Sequence, residues 1–471
     1  MNNHIPHLHT GSCTFATNKT KNKQKITTMR KIATSLLMLL AMATMAYGKK
    51  NISTFPDGTP ISKWFTDTTK IELAQMGKQY VITDYGVKDD STIIQTQQIQ
   101  KAIDACYENG GGVVVVPKGT YLTGSLFFKQ GTNLYLSEGA TLKGSDAITH
   151  YKIIKTRLEG QTLNYFAALI NAEHNNGFTI AGSGTLNGNG HKFYDEFWLR
   201  RKVLKKCTNL EALRPRLVYI SHSNDVNISG IKMINSGFWT NHLYKCKRVK
   251  YLNCYIYAPT DGYPKGPSTD AIDIDACEDM LVYGCWVNVN DDGVCIKGGK
   301  GTFVDKDSTN GPCRNIIVDN CFFKKAGGGV TFGSECYDAS NIIIRNCRFD
   351  GTSNILLFKM RPDTPQSYRN VMAENCTGKT VYGIRTRKWT QFYDKKDRDD
   401  MPRSFVGNIS MKNIHVDCSK SFYVLSPSED YDLGAFSFEN IQATDPEGKM
   451  DTSFLKECQL KKVFVNGKAI K

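Results

Sequence analysis

The sequence predicts an all-β chain wound as a parallel β-helix and closed at its N-terminal end by a capping helix. Three observations predict it. An aliphatic-rich phrase followed by Asn, Gly or another small residue recurs along the chain. It stands at Val226-Asn-Ile-Ser-Gly-Ile-Lys232, Val249-Lys-Tyr-Leu-Asn-Cys-Tyr-Ile256, Leu281-Val-Tyr-Gly-Cys-Trp-Val287 and Ile316-Ile-Val-Asp-Asn-Cys-Phe322. It returns at Ile342-Ile-Ile-Arg-Asn-Cys-Arg-Phe349, Val371-Met-Ala-Glu-Asn-Cys376, Ile409-Ser-Met-Lys-Asn-Ile-His-Val416 and Phe436-Ser-Phe-Glu-Asn-Ile441. Second, a small residue holds the same place in successive copies: Gly230, Cys254, Cys285, Cys321, Cys347 and Cys376, at steps of 24, 31, 36, 26 and 29 residues. Third, a strand, a helix and a Gly-Gly-Gly stop precede the first copy. A unit of two or three short strands cannot bury its apolar face alone, so it stacks on its neighbours at a spacing of ~4.8 Å.

The elements follow in order. Tyr80 to Val87 reads as a strand. Ser91 to Tyr107 has helical spacing at Ile94, Gln98, Ala102 and Cys106, with Ile99 and Ile103 on the same side, and Gly110-Gly-Gly112 ends it. Val113-Val-Val-Val-Pro117 starts the first buried strand. Leu134 to Leu142 and Phe178 to Gly188 read as early coils, and Val463-Phe-Val-Asn-Gly467 as a closing strand or hairpin. The unequal steps imply loops of different length leaving one side, where function concentrates. Those near 191–213, 258–267 and 300–312 stand beside the prospective groove. Fifteen Cys is a high count, and exported chains ordinarily pair them. Five here share the repeated position, which suits a ladder of buried thiols packing as small hydrophobes; disulfides between neighbouring coils are the alternative.

The first 48 residues stand apart. Met29-Arg30-Lys31 opens a basic start, Ile32 to Tyr47 is apolar, and Ala46-Tyr47-Gly48 offers small residues for cleavage. Residues 29–48 therefore read as a signal peptide, 1–28 as an extension upstream of the true start, and 49–471 as a single β-helix catalytic domain. The expected location is outside the cell or in the periplasm. Removal of 1–48 leaves 54 basic against 45 acidic residues, a net charge of +9. That balance suits an anionic polymer. Nucleic acid is not expected, since no dense basic block or known nucleic-acid module is present. Nor is a membrane span, a metal or another cofactor: no later run reaches ~18 apolar residues, and no Cys/His metal spacing stands out. A monomer is expected.

The chemistry concentrates in two segments. Gly266-Pro-Ser-Thr-Asp-Ala-Ile-Asp-Ile-Asp275 holds Asp270, and Asn288-Val-Asn-Asp-Asp-Gly-Val-Cys-Ile-Lys297 holds Asp291 and Asp292. Asp270 precedes them by 21 and 22 residues, about one coil, so the three carboxylates converge on one surface. Such a set can hydrolyse a glycosidic bond, one member as acid and the others holding and activating water. Asp273 and Asp275 are read as decoration of Asp-rich turns.

Taken together these segments resemble the polygalacturonases, glycoside hydrolase family 28, over most of 78–445. Gly182-Ser-Gly-Thr-Leu-Asn-Gly-Asn-Gly190, Arg214-Pro-Arg-Leu-Val-Tyr-Ile220 and Asn235-Ser-Gly-Phe-Trp-Thr-Asn-His242 carry part of it. Ser268-Thr-Asp-Ala-Ile-Asp resembles the family's Asn-Thr-Asp-Gly motif, Asp291-Asp292 its Asp-Asp pair, and Gly327-Gly-Gly-Val-Thr-Phe-Gly-Ser334 its Gly-His-Gly segment. The resemblance implies a right-handed helix and inverting hydrolysis of a pectin backbone without a metal. It assigns Asp291 as general acid and Asp270 with Asp292 as the residues that handle water. Three positions depart from the pattern. Ser268 replaces Asn, Gly328 replaces the His, and Leu357 in Asn354-Ile-Leu-Leu-Phe-Lys-Met-Arg-Pro362 stands where Arg is expected. Lys359 takes the Lys role there, and Arg361, or Arg385 and Arg387 on the next coil, supplies the missing cation for uronate carboxylates. Tyr382 is a candidate subsite residue. His242 is the candidate functional His or a hydrogen-bonded structural one, and Trp239 either stacks on sugar or fills core. The departures keep rhamnogalacturonan I beside homogalacturonan as substrate. A Ca²⁺-dependent polysaccharide lyase and a non-catalytic glycan-binding helix are the rivals from other classes.

Overall fold

Each coil contributes short strands to a continuous stack, and among the described residues strand pairing joins 30 of them into one sheet. The pairings are parallel up to the closing hairpin, where Glu457–Val465 meets Lys468–Ala469 antiparallel. The computed structural model describes residues 53–205 and 207–471. The segments read as an upstream extension, 1–28, and a signal peptide, 29–48, lie outside the described residues. Among the described residues no helix is long and apolar enough to cross a membrane.

One column of strands positions the site: β1 (Ile170–Glu173), β2 (Val218–Ser221), β3 (Asn241–Tyr244), β4 (Ile272–Asp275), β5 (Val294–Lys297), β6 (Val330–Phe332), β7 (Arg348–Met360) and β8 (Ser367–Lys388). Side chains alternate along a strand, so each register position forms its own file through the stack. Ile220, Leu243, Ile274, Ile296, Phe332 and Phe358 are in register and fully buried in the core. Each stabilises by roughly 1.5–3 kcal/mol. The next position points the other way and carries Tyr219, His242, Asp273, Cys295, Thr331, Leu357 and Arg385 in file. The aliphatic half of the repeated phrase fills the same core from a neighbouring column, where Ile228, Tyr251, Val282, Val318, Ile344 and Ala373 are in register and buried; the outward file of the site column holds the chemistry.

The Asn of the phrase has its own reason. Asn320, Asn346, Asn375, Asn413 and Asn440 all sit at φ of 52–55°, the left-handed region that Asn tolerates better than other side chains. Their amides also bond along the stack, Asn413 Nδ2 to Asn375 Oδ1 at 2.9 Å and Asn440 Nδ2 to Asn413 Oδ1 at 2.8 Å. The Cys beside them are buried free thiols rather than disulfides; burial pushes Cys254, Cys321 and Cys376 well above the usual thiol range.

The cap is a helix, α1 (Thr96–Glu108), that buries Ile99, Ala102, Ile103 and Cys106. It starts later than the spacing predicts and leaves Ile94 exposed. The reason is Gln95, whose buried amide bonds Lys88 and Asp90 and closes the preceding loop instead. The strand expected over 80–87 is short: Gln79–Val81 pairs with the stack, and Ile82–Tyr85 turns as a 3-10 helix. A second helix, α2 (His191–Val203), occupies a segment expected to be loop. Trp198 Nε1 on α2 donates to the carbonyl of Lys265 at 2.8 Å, tying the 191–213 and 258–267 segments together. Arg398 likewise ties its loop to Thr302 and Asp305.

Candidate active site

Asp270 ends the turn into β4, and Asp291 and Asp292 end the turn into β5. Backbone bonds lock the rungs: Thr240 N–H donates to the Asp270 carbonyl at 2.8 Å, Ala271 N–H to Asp292 at 2.9 Å, and Gly293 N–H to Gly328 at 3.0 Å. Asp270, Asp292 and Gly328 therefore stand one above another. A carboxylate oxygen of Asp270, one of Asp292 and the Cys295 sulfur all lie within 4.8 Å of each other, the distance between adjacent rungs. Asp291 joins them at the rim, half-buried, its Oδ1 accepting the Asp292 backbone N–H at 3.1 Å.

The three acids have different surroundings. Asp292 is buried and surrounded by donors: Lys359 Nζ at 2.6 Å, Thr331 Oγ1 at 2.9 Å and Cys295 Sγ at 3.5 Å. A side chain ringed by donors is set up as an acceptor, the form a base requires. For Asp291, burial and then the charge of Asp292 raise the carboxyl to about 6, against the pull of Lys359 and Lys297. Asp270 is also raised, by burial first and then by Asp291 and Asp273, and its Oδ1 has no hydrogen-bond partner among the described residues. The site thus separates an acceptor, Asp292, from two carboxyls that favour keeping a proton.

Lys297 is a site residue that motif reading passed over. Its Nζ lies 3.7 Å from Asp270, 3.3 Å from Asp273 and 3.2 Å from Glu335, and 4.2 Å over the Trp239 ring. Only its position at the end of the Asp291-Asp292 segment hinted at a role. Asp273 and Asp275 are not turn decoration: both are fully buried in β4. Burial pushes Asp273 up to about 7 against the pull of Lys297. Burial works against Asp275 too, but Arg157 Nε at 3.1 Å and His242 overcome it and hold it below the ordinary range.

His242 does not reach a groove. It is fully buried, with Nδ1 2.7 Å from Arg216 Nη1 and Nε2 3.4 Å from Asp275. Arg can only donate, so Nδ1 accepts and the proton sits on Nε2, facing Asp275. Burial lowers this imidazole to about 4, so it is a neutral link in the support of β4 and not a sugar ligand. Trp239 is likewise 3% exposed, wedged against His242 and Lys297. Arg361 also turns away. Its guanidinium grips Asp363 at 2.8 and 2.6 Å and two carbonyls at 391 and 392. The file instead brings Arg385 into register with Leu357, the position lacking its Arg, and Arg385 lies 4.4 Å over the Tyr382 ring. Both are half-buried beside the rung of Asn354. Lys359 stands where expected, against Asp292. At the position lacking its His, a Cβ on Gly328 would crowd Thr331 Oγ1, the hydroxyl that donates to Asp292.

The donor set does not fit Ca²⁺. That ion takes six to eight oxygens, whereas Asp270 and Asp292 share their space with a thiol and are already faced by Lys297 and Lys359.

A family model described as "Glycosyl hydrolases family 28" matches residues 106–451. A probable polygalacturonase of Vitis vinifera is 26% identical over 227 residues, covering 46% of this chain and 44% of that protein. An exo-poly-alpha-D-galacturonosidase of Dickeya chrysanthemi is 27% identical over 325 residues, covering 60% and 51%. The match thus spans about half the length of these two relatives. Among solved structures, an exopolygalacturonase from Thermotoga maritima aligns with a TM-score of 0.70 at 20% identity, covering 86% of this chain and 95% of that one.

Proposed function

This chain belongs to glycosyl hydrolase family 28, and from that premise we propose that it hydrolyses the galacturonate-containing backbone of pectin. The observation that carries the reading is the division of labour among three adjacent carboxyls. Asp291, raised to about 6 at the rim, donates its proton to the leaving glycosidic oxygen. Asp292, ringed by donors and backed by Lys359, takes the proton of the attacking water. Asp270, one rung away and raised, donates to that water and orients it. Lys359, Arg385 and the exposed Arg387 supply positive charge for uronate carboxylates, with Tyr382 beside them. The relatives' names support polygalacturonate as substrate and attack from the chain end. Export belongs to the same proposal, on the strength of the 29–48 segment.

Two outcomes test this. Digestion of homogalacturonan and of rhamnogalacturonan I, followed by mass and reducing-end analysis, is expected to release saturated galacturonate from homogalacturonan. Products absorbing in the ultraviolet through a new double bond would show a lyase instead, and cleavage of rhamnogalacturonan I alone would move the substrate to that polymer. The second outcome concerns pH. Asp291 acts in its protonated form, and a carboxyl near 6 loses its proton as pH rises through that value. Turnover is therefore expected to decline above about pH 6, by about tenfold for each further pH unit. A profile flat from pH 5 to 8 would remove Asp291 from the acid role.

A further inference from the structure

Outside the catalytic cluster, the turn that follows β1 and β2 gathers three metal-ligating side chains. His174 and His222 occupy the same position on adjacent rungs, their rings stacked with centroids 4.9 Å apart and planes 21° from parallel. Glu173, the last residue of β1, places Oε1 3.7 Å from His222 Nδ1. One nitrogen from each ring and one Glu oxygen all lie within 4.8 Å of each other. His222 Nδ1 is closed to solvent yet has no hydrogen-bond partner among the described residues, an arrangement that costs free energy unless something else satisfies the nitrogen.

We propose that Glu173, His174 and His222 form a binding site for a divalent transition-metal ion of the zinc type. Two imidazoles and a carboxylate are a zinc-type ligand set rather than a Ca²⁺ or Mg²⁺ set, which would be all oxygen. Ligands ~2.1 Å from a tetrahedral ion sit ~3.4 Å from each other, so the 3.7 Å pair needs little closure. The Glu173 side chain is 66% exposed and free to complete it. Lys245, next in the file, turns its Nζ to the Ser308 carbonyl at 2.8 Å. The fourth position opens to solvent, since Glu173 and His174 are exposed. Bound there, the ion clamps the rung of β1 to that of β2. The turn lies at the C-terminal ends of these strands, whereas the catalytic carboxyls precede β4 and β5, so the site does not take part in hydrolysis.

The test uses the full chain stripped with chelator. Calorimetric titration with Zn²⁺ is expected to show one equivalent bound, and Co²⁺ in its place to give visible bands without the thiolate charge-transfer band that buried Cys would produce. Both His sit at positive φ, 52° and 49°, a conformation Asn tolerates, so His174→Asn with His222→Asn preserves the backbone. This double variant is expected to lose the bound equivalent, while melting in chelator and turnover stay as in the parent. Glu173→Gln is expected to weaken binding by roughly 10- to 100-fold. The proposal is overturned if the parent binds no stoichiometric Zn²⁺, if the double variant binds like the parent, or if Co²⁺ reports thiolate ligation.

Discussion

Asp291→Asn is expected to lower kcat by about 10²- to 10⁴-fold, the usual contribution of a positioned general acid, and to leave the fold intact. Asn keeps the shape and an oxygen to accept the Asp292 backbone N–H, which the carboxylate accepts at 3.1 Å. What it cannot do is release a proton to the departing glycosidic oxygen. The variant also removes a carboxyl whose burial and neighbouring Asp292 disfavour its charge, so thermal stability at neutral pH is expected to equal or exceed that of the parent. The loss has a signature: an aryl galacturonide, whose phenolate leaves unassisted, is expected to suffer far less than the polymer. Equal turnover of parent and variant on polymer, with both melting alike, would falsify the acid assignment.

Lys297→Met is expected to destabilise the chain by about 3–5 kcal/mol, the typical result of removing one partner from a buried ionic cluster. The ammonium is 4% exposed and stands among Asp270, Asp273 and Glu335. Without it, buried carboxylates face each other with no cation between them. Surface pairs behave otherwise: Lys247, about half exposed beside Glu278, is expected to cost under about 1 kcal/mol when truncated. The sign of the pH effect follows from the carboxyls. Lys297 now holds Asp270 and Asp273 down; its loss raises their folded-state values further above those of the unfolded chain. A group raised in the folded state binds protons more tightly there, so the variant is expected to regain stability as pH falls from 7 towards 4. Adding Asp273→Asn removes one of the carboxyls that must then take up a proton on folding and is expected to recover part of the loss. Denaturant melts at pH 5 and 7 read both effects, and a deficit equal at the two pH values would place the cost in packing rather than charge.

Much of the architecture was legible from local chemistry. Asn in left-handed turns and aliphatic residues at alternate strand positions repeat because each coil solves the same packing problem, and that repetition survives variation in loop length. The three aspartates were legible for a related reason: the turn between Asp270 and Asp291 is short, so one coil separates them in sequence as in space. His242 and Arg361 misled because residue type does not reveal direction. His242 stands on the rung beside Asp270 and Arg361 two residues from Lys359, yet one faces Arg216 and the other Asp363.

The sequence by itself determined the coiling, its inward file of apolar side chains and the one-coil spacing of Asp270 from Asp291 and Asp292, since all of these follow from short-range periodicity. Tertiary structure alone decided their company. Thr331 meets Asp292 across 39 residues, Lys359 across 67, and Lys297 meets Glu335 across 38, while His222 falls on His174. Such offsets depend on how much loop each coil extrudes before it re-enters the stack, and loop length leaves the core untouched. Contacts between coils, which set the proton affinities and the cation partners of the site, are therefore fixed only when the rungs come into register.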